Sequence, residues 1–130
     1  MMPPQKILIA DDNVDAADST AYLLRQDGFD VRVAYDGLQA VEAARSFRPV
    51  VAILDIKMPV MDGYEAASRL RSEQGADGHL VLIALTGETK SSDVEHATCA
   101  GFDHHVAKPV AGKALGLLVA ACLAKQGRRV

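Results

Sequence analysis

Five residues able to do polar chemistry stand where apolar runs stop. Asp11 and Asp12 follow Ile7-Leu8-Ile9-Ala10, and Asp55 follows Val50-Val51-Ala52-Ile53-Leu54. Thr86 follows Leu80-Val81-Leu82-Ile83-Ala84-Leu85, and Lys108, with Pro109 behind it, follows the weaker run Asp103 to Ala107. In open parallel sheets functional residues collect beyond the carboxyl ends of the strands. Three carboxylates, a hydroxyl and an ammonium are therefore expected on one rim. An Asp after a strand commonly makes a turn or a cap, but five such residues at four strand ends make coincidence a poor explanation. Crowded carboxylates repel, and one of them takes a raised pKa unless a cation joins them. Mg²⁺ suits that role, with Mn²⁺ as a substitute, because it prefers one or two carboxylates, several waters and a phosphate oxygen. Asp55 is then a candidate nucleophile, since carboxylates form aspartyl phosphates. Phosphoryl transfer asks mainly for positioning and for neutralisation of the equatorial oxygens. A metal at the three acids, the Lys108 ammonium and the Thr86 hydroxyl can each meet one oxygen. Backbone N–H groups in the Ile56 to Pro59 loop can add more.

The elements that must hold these residues follow from patterning. The strong runs, with Val31-Arg32-Val33-Ala34 as a fourth, read as strands buried on both faces of a parallel sheet. Asn13 can cap a helix through about Asp27, with Ala17, Ala21 and Leu24 on one face and Gly28 as its left-handed stop. Asp36-Gly37 leads into a second helix with Leu38, Val41, Ala44 and Phe47 inward, and Pro49 bars its continuation. Gly63 opens a third, carrying Tyr64, Ala67 and Leu70, which fades into a loop over 74–78. Ser92 and Glu95 form a capping box for a fourth, ended by Gly101. A fifth runs from about Ala111 to Lys125, with Leu115, Leu118, Val119 and Cys122 inward. Strand and helix alternate five times without linker or repeat, which predicts an α/β fold with helices on both faces of a parallel sheet. Periodicity does not give the strand order.

At 130 residues the chain is long enough for one domain with a proper core. Residues 1–5 are expected to form a disordered leader, 6–125 the domain, and 126–130 a flexible tail. Lys125, Arg128 and Arg129 make that end basic, as a solvated terminus. With 49% hydrophobic and 24% charged residues, the balance is that of a soluble globular protein. A net charge of −3 argues against a nucleic-acid face. No apolar run approaches the ~18–20 residues of a membrane span, and the start lacks a signal peptide's apolar stretch, so a cytoplasmic location is expected. Cys99 and Cys122 share no CxxC spacing and read as buried thiols in a reducing compartment.

The segments Ile9-Ala10-Asp11-Asp12-Asn13, Leu54-Asp55-Ile56-Lys57-Met58-Pro59-Val60-Met61-Asp62-Gly63, Ala84-Leu85-Thr86-Gly87 and Val106-Ala107-Lys108-Pro109 resemble, in order, the signature motifs of the receiver domain of two-component response regulators. The likeness runs from about Lys6 to Lys125. It implies a flavodoxin-like (βα)5 doubly wound sheet of order 2-1-3-4-5. It implies that Asp55 accepts the phosphoryl group and ligates Mg²⁺, that Asp12 is the direct acidic ligand, and that Asp11 holds metal-bound water. Lys57 would lend its backbone carbonyl, while Thr86 and Lys108 sense the phosphate. The donor would be a phosphohistidine on a sensor histidine kinase or a histidine phosphotransfer protein, with water attack resetting the switch. The face made by the fourth helix, fifth strand and fifth helix would meet a downstream protein or a second copy, giving a monomer or weak homodimer. Direct nucleic-acid or membrane contact is not implied.

Three departures from the family pattern stand out. His105 occupies a position that usually holds Tyr or Phe, which turns inward when the threonine engages phosphate. A histidine can make that rotation and titrates near physiological pH. Alternatively His105 is an edge residue, like His104 on the opposite face. Lys57 and Glu88, two residues beyond Asp55 and Thr86, flank the attacking water in the family. They either pair and slow hydrolysis or stay solvated, worth little as a surface pair. Gly112 and Lys113 supply neither the acidic charge that favours a helix start nor high helix propensity, so the last helix is expected to fray there.

A stand-alone regulator and a receiver of a hybrid histidine kinase both remain open; the Gly101-Phe102-Asp103-His104-His105 stretch resembles the latter. A chain ending at Val130 is expected to carry no DNA-binding or enzymatic output domain. A different class is a Mg²⁺-dependent phosphatase with an aspartyl nucleophile. Haloacid-dehalogenase-like enzymes carry a second Asp two residues after the nucleophile, where this chain has Lys57. A flavodoxin-like FMN binder would need a phosphate-cradling Gly/Ser/Thr loop after the first strand, and the chain has none.

Overall fold

The computed structural model describes residues 4–74, 80–87, 99–108 and 112–127. Within them the order is β1 (Lys6–Ala10), α1 (Val14–Gln26), β2 (Asp30–Ala34), α2 (Gly37–Phe47), β3 (Val51–Asp55), α3 (Gly63–Gln74), β4 (Val81–Thr86), β5 (His104–Ala107) and α4 (Gly112–Gly127). The five strands pair in parallel in the order β2-β1-β3-β4-β5. Every strand lies within one residue of the run that predicts it. The expected capping box at Ser92 and Glu95, the loop over 75–78, Glu88 and Pro109 lie outside the described residues. Among the described residues no helix is long and apolar enough to cross a membrane.

Successive strand residues point to opposite faces, so each run feeds two cores. Ile7 and Ile9 pack with Ala17, Ala21 and Leu24 of α1 and with Leu115, Val119 and Cys122 of α4. Leu8 and Ala10 pack with Val41 and Ala44 of α2 and with Ala67 and Leu70 of α3. Each fully buried aliphatic side chain contributes about 1.5–3 kcal/mol. β3 and β4 are buried along their whole length, so their last residues, Asp55 and Thr86, are polar groups set into the rim of the core.

The helix signals have structural counterparts. Asn13 caps α1 by accepting from the Ala16 N–H, and Gly28 takes φ 94. Asp36 caps α2 by accepting from the Gln39 N–H, and Arg48 ends that helix at φ 53, just before Pro49. Leu38 departs from expectation: it is exposed, and Ala40 takes the inward place. The cause is Gly37, whose N–H donates to the Met61 carbonyl at 3.1 Å. A Cβ on Gly37 would collide with the Met61 backbone, and this close approach turns Leu38 outward. Cys99 is exposed rather than buried, because Ala100 and Phe102 take the inward positions beside it. The last helix begins at Gly112 itself and continues to Gly127, two residues past the expected end.

Candidate functional site

Asp11 leaves β1 with its N–H donating to the Ala34 carbonyl at 3.1 Å. Its Oδ1 accepts from the Asn13 N–H at 3.0 Å, which fixes the carboxylate and leaves Oδ2 for a cation. Asp55 ends β3. Immediately beyond it the Ile56 N–H donates to the Leu85 carbonyl at 3.1 Å, and the Gly63 N–H to the Ile56 carbonyl at 2.8 Å. A Cβ on Gly63 would run into the Asp55 carbonyl oxygen, so only glycine lets α3 begin this close to the acid. Lys108 leaves β5 with its N–H donating to the Thr86 carbonyl at 2.8 Å. Its Nζ donates to Asp11 Oδ2 at 3.0 Å and lies 3.1 Å from Asp55 Oδ2.

The charges do not balance. Asp11, Asp12 and Asp55 each place a carboxylate oxygen within 4.8 Å of the others. Against these three negative groups stands, among the described residues, the Lys108 ammonium, leaving two negative charges when all are ionised. Burial pushes the Asp55 carboxyl up to about 6, the Asp11 carboxylate adds to the rise, and Lys108 opposes it. At Lys108 burial pulls downward, but bonds to Asp11 and Asp55 outweigh it and hold the ammonium above its usual range. A divalent cation is the group that would remove this imbalance, and the all-oxygen donor set matches a hard ion. The second open feature is Thr86. Its Oγ1 is buried and has no hydrogen-bond partner in the structure, and such a group usually awaits a ligand or water. Thr86 lies one residue beyond Leu85, the register partner of Asp55.

The structure thus gathers Asp11, Asp12, Asp55 and Lys108 as their strand-end positions predict. Asp12 and Lys57 are exposed, as are His104 and His105 on β5. Ile56 is not a free donor, because its N–H is engaged by Leu85; the loop's remaining candidates are the N–H groups of Lys57 and Met58. Two supporting residues went unread in the sequence. At Gly63 the sequence predicts a helix start, and the structure adds that Asp62 caps that helix by accepting from the Glu65 N–H. At Gly37 the sequence predicts a turn, and the structure adds its close approach to the Met61 backbone. The signal lies in Asp36-Gly37 and Asp62-Gly63, two of the four Asp-Gly pairs in the sequence, each an N-cap followed by a residue without a Cβ.

The family described as "Response regulator receiver domain" matches residues 7–120. "DNA-binding response regulator MtrA" of Mycolicibacterium smegmatis is 36% identical over 111 residues, covering 85% of this chain and 47% of that protein. "Hybrid signal transduction histidine kinase I" of Dictyostelium discoideum is 35% identical over 120 residues, covering 88% of this chain and 7% of that one. The chain spans about half the length of the MtrA relatives it matches. Among solved structures, a CheY-like response regulator receiver domain protein from Methanospirillum hungatei JF-1 has a TM-score of 0.89 at 25% identity, covering 98% of this chain and 99% of that one. Chemotaxis protein CheY4 of Vibrio cholerae has a TM-score of 0.85 at 26% identity, covering 91% and 98%. Sheet order, acid cluster and a family match across most of the length agree: the chain belongs to the response regulator receiver domain family.

Proposed function

We propose that this chain is a phosphorylation switch whose acceptor is Asp55. The observation that carries this reading is the rim itself: an acid cluster of buried Asp11 and Asp55 with exposed Asp12, two charges short of neutrality, with Lys108 on two of the acids and an unpartnered Thr86 hydroxyl beside it. One Asp55 carboxylate oxygen attacks phosphorus, the O–P bond forms, and the N–P bond of a donor phosphohistidine breaks with its electron pair returning to the imidazole. Lys108 neutralises one phosphoryl oxygen and Thr86 donates to another. Asp11, Asp12, Asp55 and the Lys57 carbonyl would hold Mg²⁺, or Mn²⁺ in its place. When bound, the ion supplies neutralisation of phosphoryl oxygen charge.

Thr86, once engaged by phosphate, frees space toward which the exposed His105 can rotate, and the face around β5 and α4, with the helix expected to start at Ser92, changes for a downstream protein. Water then releases the phosphate, at a rate tuned by Lys57 and Glu88, two residues beyond Asp55 and Thr86 in the sequence. The chain turns over only its own aspartyl phosphate, which makes it a switch rather than an enzyme acting on free substrates. A phosphatase reading gains no support, because Lys57 stands where the second acid would be needed. The partners this implies are a sensor histidine kinase or a histidine phosphotransfer protein upstream, in the cytoplasm, for a monomer or weak homodimer. Peptide mapping after transfer from a phosphohistidine donor tests the reading. The phosphate is expected on the peptide containing Asp55, and a phosphate on any other residue contradicts it.

A further inference from the structure

β5 carries Lys108 to the acids, yet little in β5 itself says where it should stop. His104, His105 and Ala107 are exposed and only Val106 is half-buried. Strand register is strongly specified where one face is buried and weakly specified where it is not. Among the described strands β5 pairs with β4 alone, from Ile83↔His104 to Thr86↔Ala107. A slip of two residues would keep every side chain on its face and carry Lys108 about 7 Å along β4. That would break both contacts of its ammonium with Asp11 and Asp55.

The register is held at the base of the strand instead. Asp103, the residue before β5, donates its N–H to the Leu82 carbonyl at 2.8 Å and accepts the Leu82 N–H on Oδ2 at 2.8 Å. The same Oδ2 accepts from Arg71 Nη2 at 2.8 Å. Arg71, on α3, also donates to the Leu80 carbonyl and to the Gly101 carbonyl, each at 2.7 Å. One planar guanidinium therefore ties together the residue before β4, the left-handed turn at Gly101 (φ 107) and the carboxylate that grips β4. Charge-assisted bonds of this kind are roughly twice as strong as neutral ones. The buried Phe102 ring fixes where the chain enters, but a ring does not choose between backbone partners. Asp103 does.

We infer that Arg71 and Asp103 are positioning residues for phosphoryl transfer, fixing the register of β5 at its base and thereby the reach of Lys108 at its tip. This rests on the reading of Asp55 as acceptor and Lys108 as its cation. The test measures Mg²⁺-dependent labelling by acetyl phosphate, together with Mg²⁺ affinity, at a temperature where circular dichroism shows each variant folded. Asp103→Ala and Arg71→Gln are expected to slow labelling roughly ten-fold or more, as small misplacements at a reacting centre do. Mg²⁺ affinity is expected not to fall, because its side-chain ligands lie at the ends of β1 and β3. Asp103→Asn keeps an acceptor for the Leu82 N–H and is expected to retain most of the rate. In a Lys108→Ala background Asp103→Ala is expected to add less than about two-fold, since both changes act through one group. Wild-type labelling by folded Asp103→Ala, or a loss that multiplies with Lys108→Ala, overturns the inference. Should Asp103→Ala not fold, Arg71→Gln carries both arms with the same outcomes. No label on the wild type overturns the reading of the site and this inference with it, which keeps the two failures apart.

Discussion

A carboxylate at the end of a fully buried strand keeps its charge only with help, and Asp55 has less help than it needs. Its carboxyl is raised from 3.8 to about 6, so the native state holds a proton over a range where the unfolded chain has released it. That contribution to stability is fully present below the unfolded value and is lost as pH rises through about 6. Divalent-free Asp55→Asn should therefore be more stable than wild type at pH 7.5, by on the order of 2 kcal/mol. The gap should close toward pH 4, as chemical denaturation at the two pH values will show. Thr86 makes the complementary case. Its hydroxyl is buried without a partner, so Thr86→Val should leave the unphosphorylated fold unchanged or stabilise it by about 1 kcal/mol. The same variant should lose the conformational response to a phosphate mimic, read by amide chemical shifts along β5. The acids and Lys108 were legible because each terminates an apolar run. The unsatisfied state of Thr86 was not, because it depends on what fails to come near.

At the scale of elements, the loop between β3 and α3 is clamped at both flanks by glycine contacts, Gly37 on Met61 and Gly63 on Asp55. Gly63→Ala should push α3 away from the acid and cost at least about 2 kcal/mol, measured by thermal denaturation. Within the same loop Val60 takes φ 70 while 76% exposed, a left-handed conformation that a β-branched side chain resists. Val60→Gly should then stabilise the fold, or at worst be neutral, by up to about 1 kcal/mol, despite losing a side chain. Strands and caps could be read from sequence because their causes are local: a buried run, an Asn or Asp before a helix, a Gly after it. Leu38 could not be placed by periodicity, since its orientation is set by Met61 across the structure. The bond of Arg71 to Asp103 spans 32 residues and has no spacing signature, so it emerged only with the fold.

The whole molecule is a parallel sheet with two cores, whose strand order collects on one rim the ends of β1, β3, β4 and β5. Periodicity predicted the layers, whereas the order β2-β1-β3-β4-β5 came from resemblance to a family, because an apolar run carries no mark of which strand will lie beside it. With that order, a metal bound at the acid cluster is expected to couple to stability. Mg²⁺ should raise the denaturation midpoint clearly at pH 7.5 and little at pH 4.5, where protons compete for Asp55; an equal rise at both would detach the acids from the ion. More direct still is the proposed chemistry, in which Asp55 takes the phosphoryl group. Its sharpest test is labelling by acetyl phosphate with and without Mg²⁺, wild type beside Asp55→Asn. Label on the wild type that needs Mg²⁺ and vanishes in Asp55→Asn is the predicted result; an unlabelled wild type, or equal label on Asp55→Asn, would contradict it.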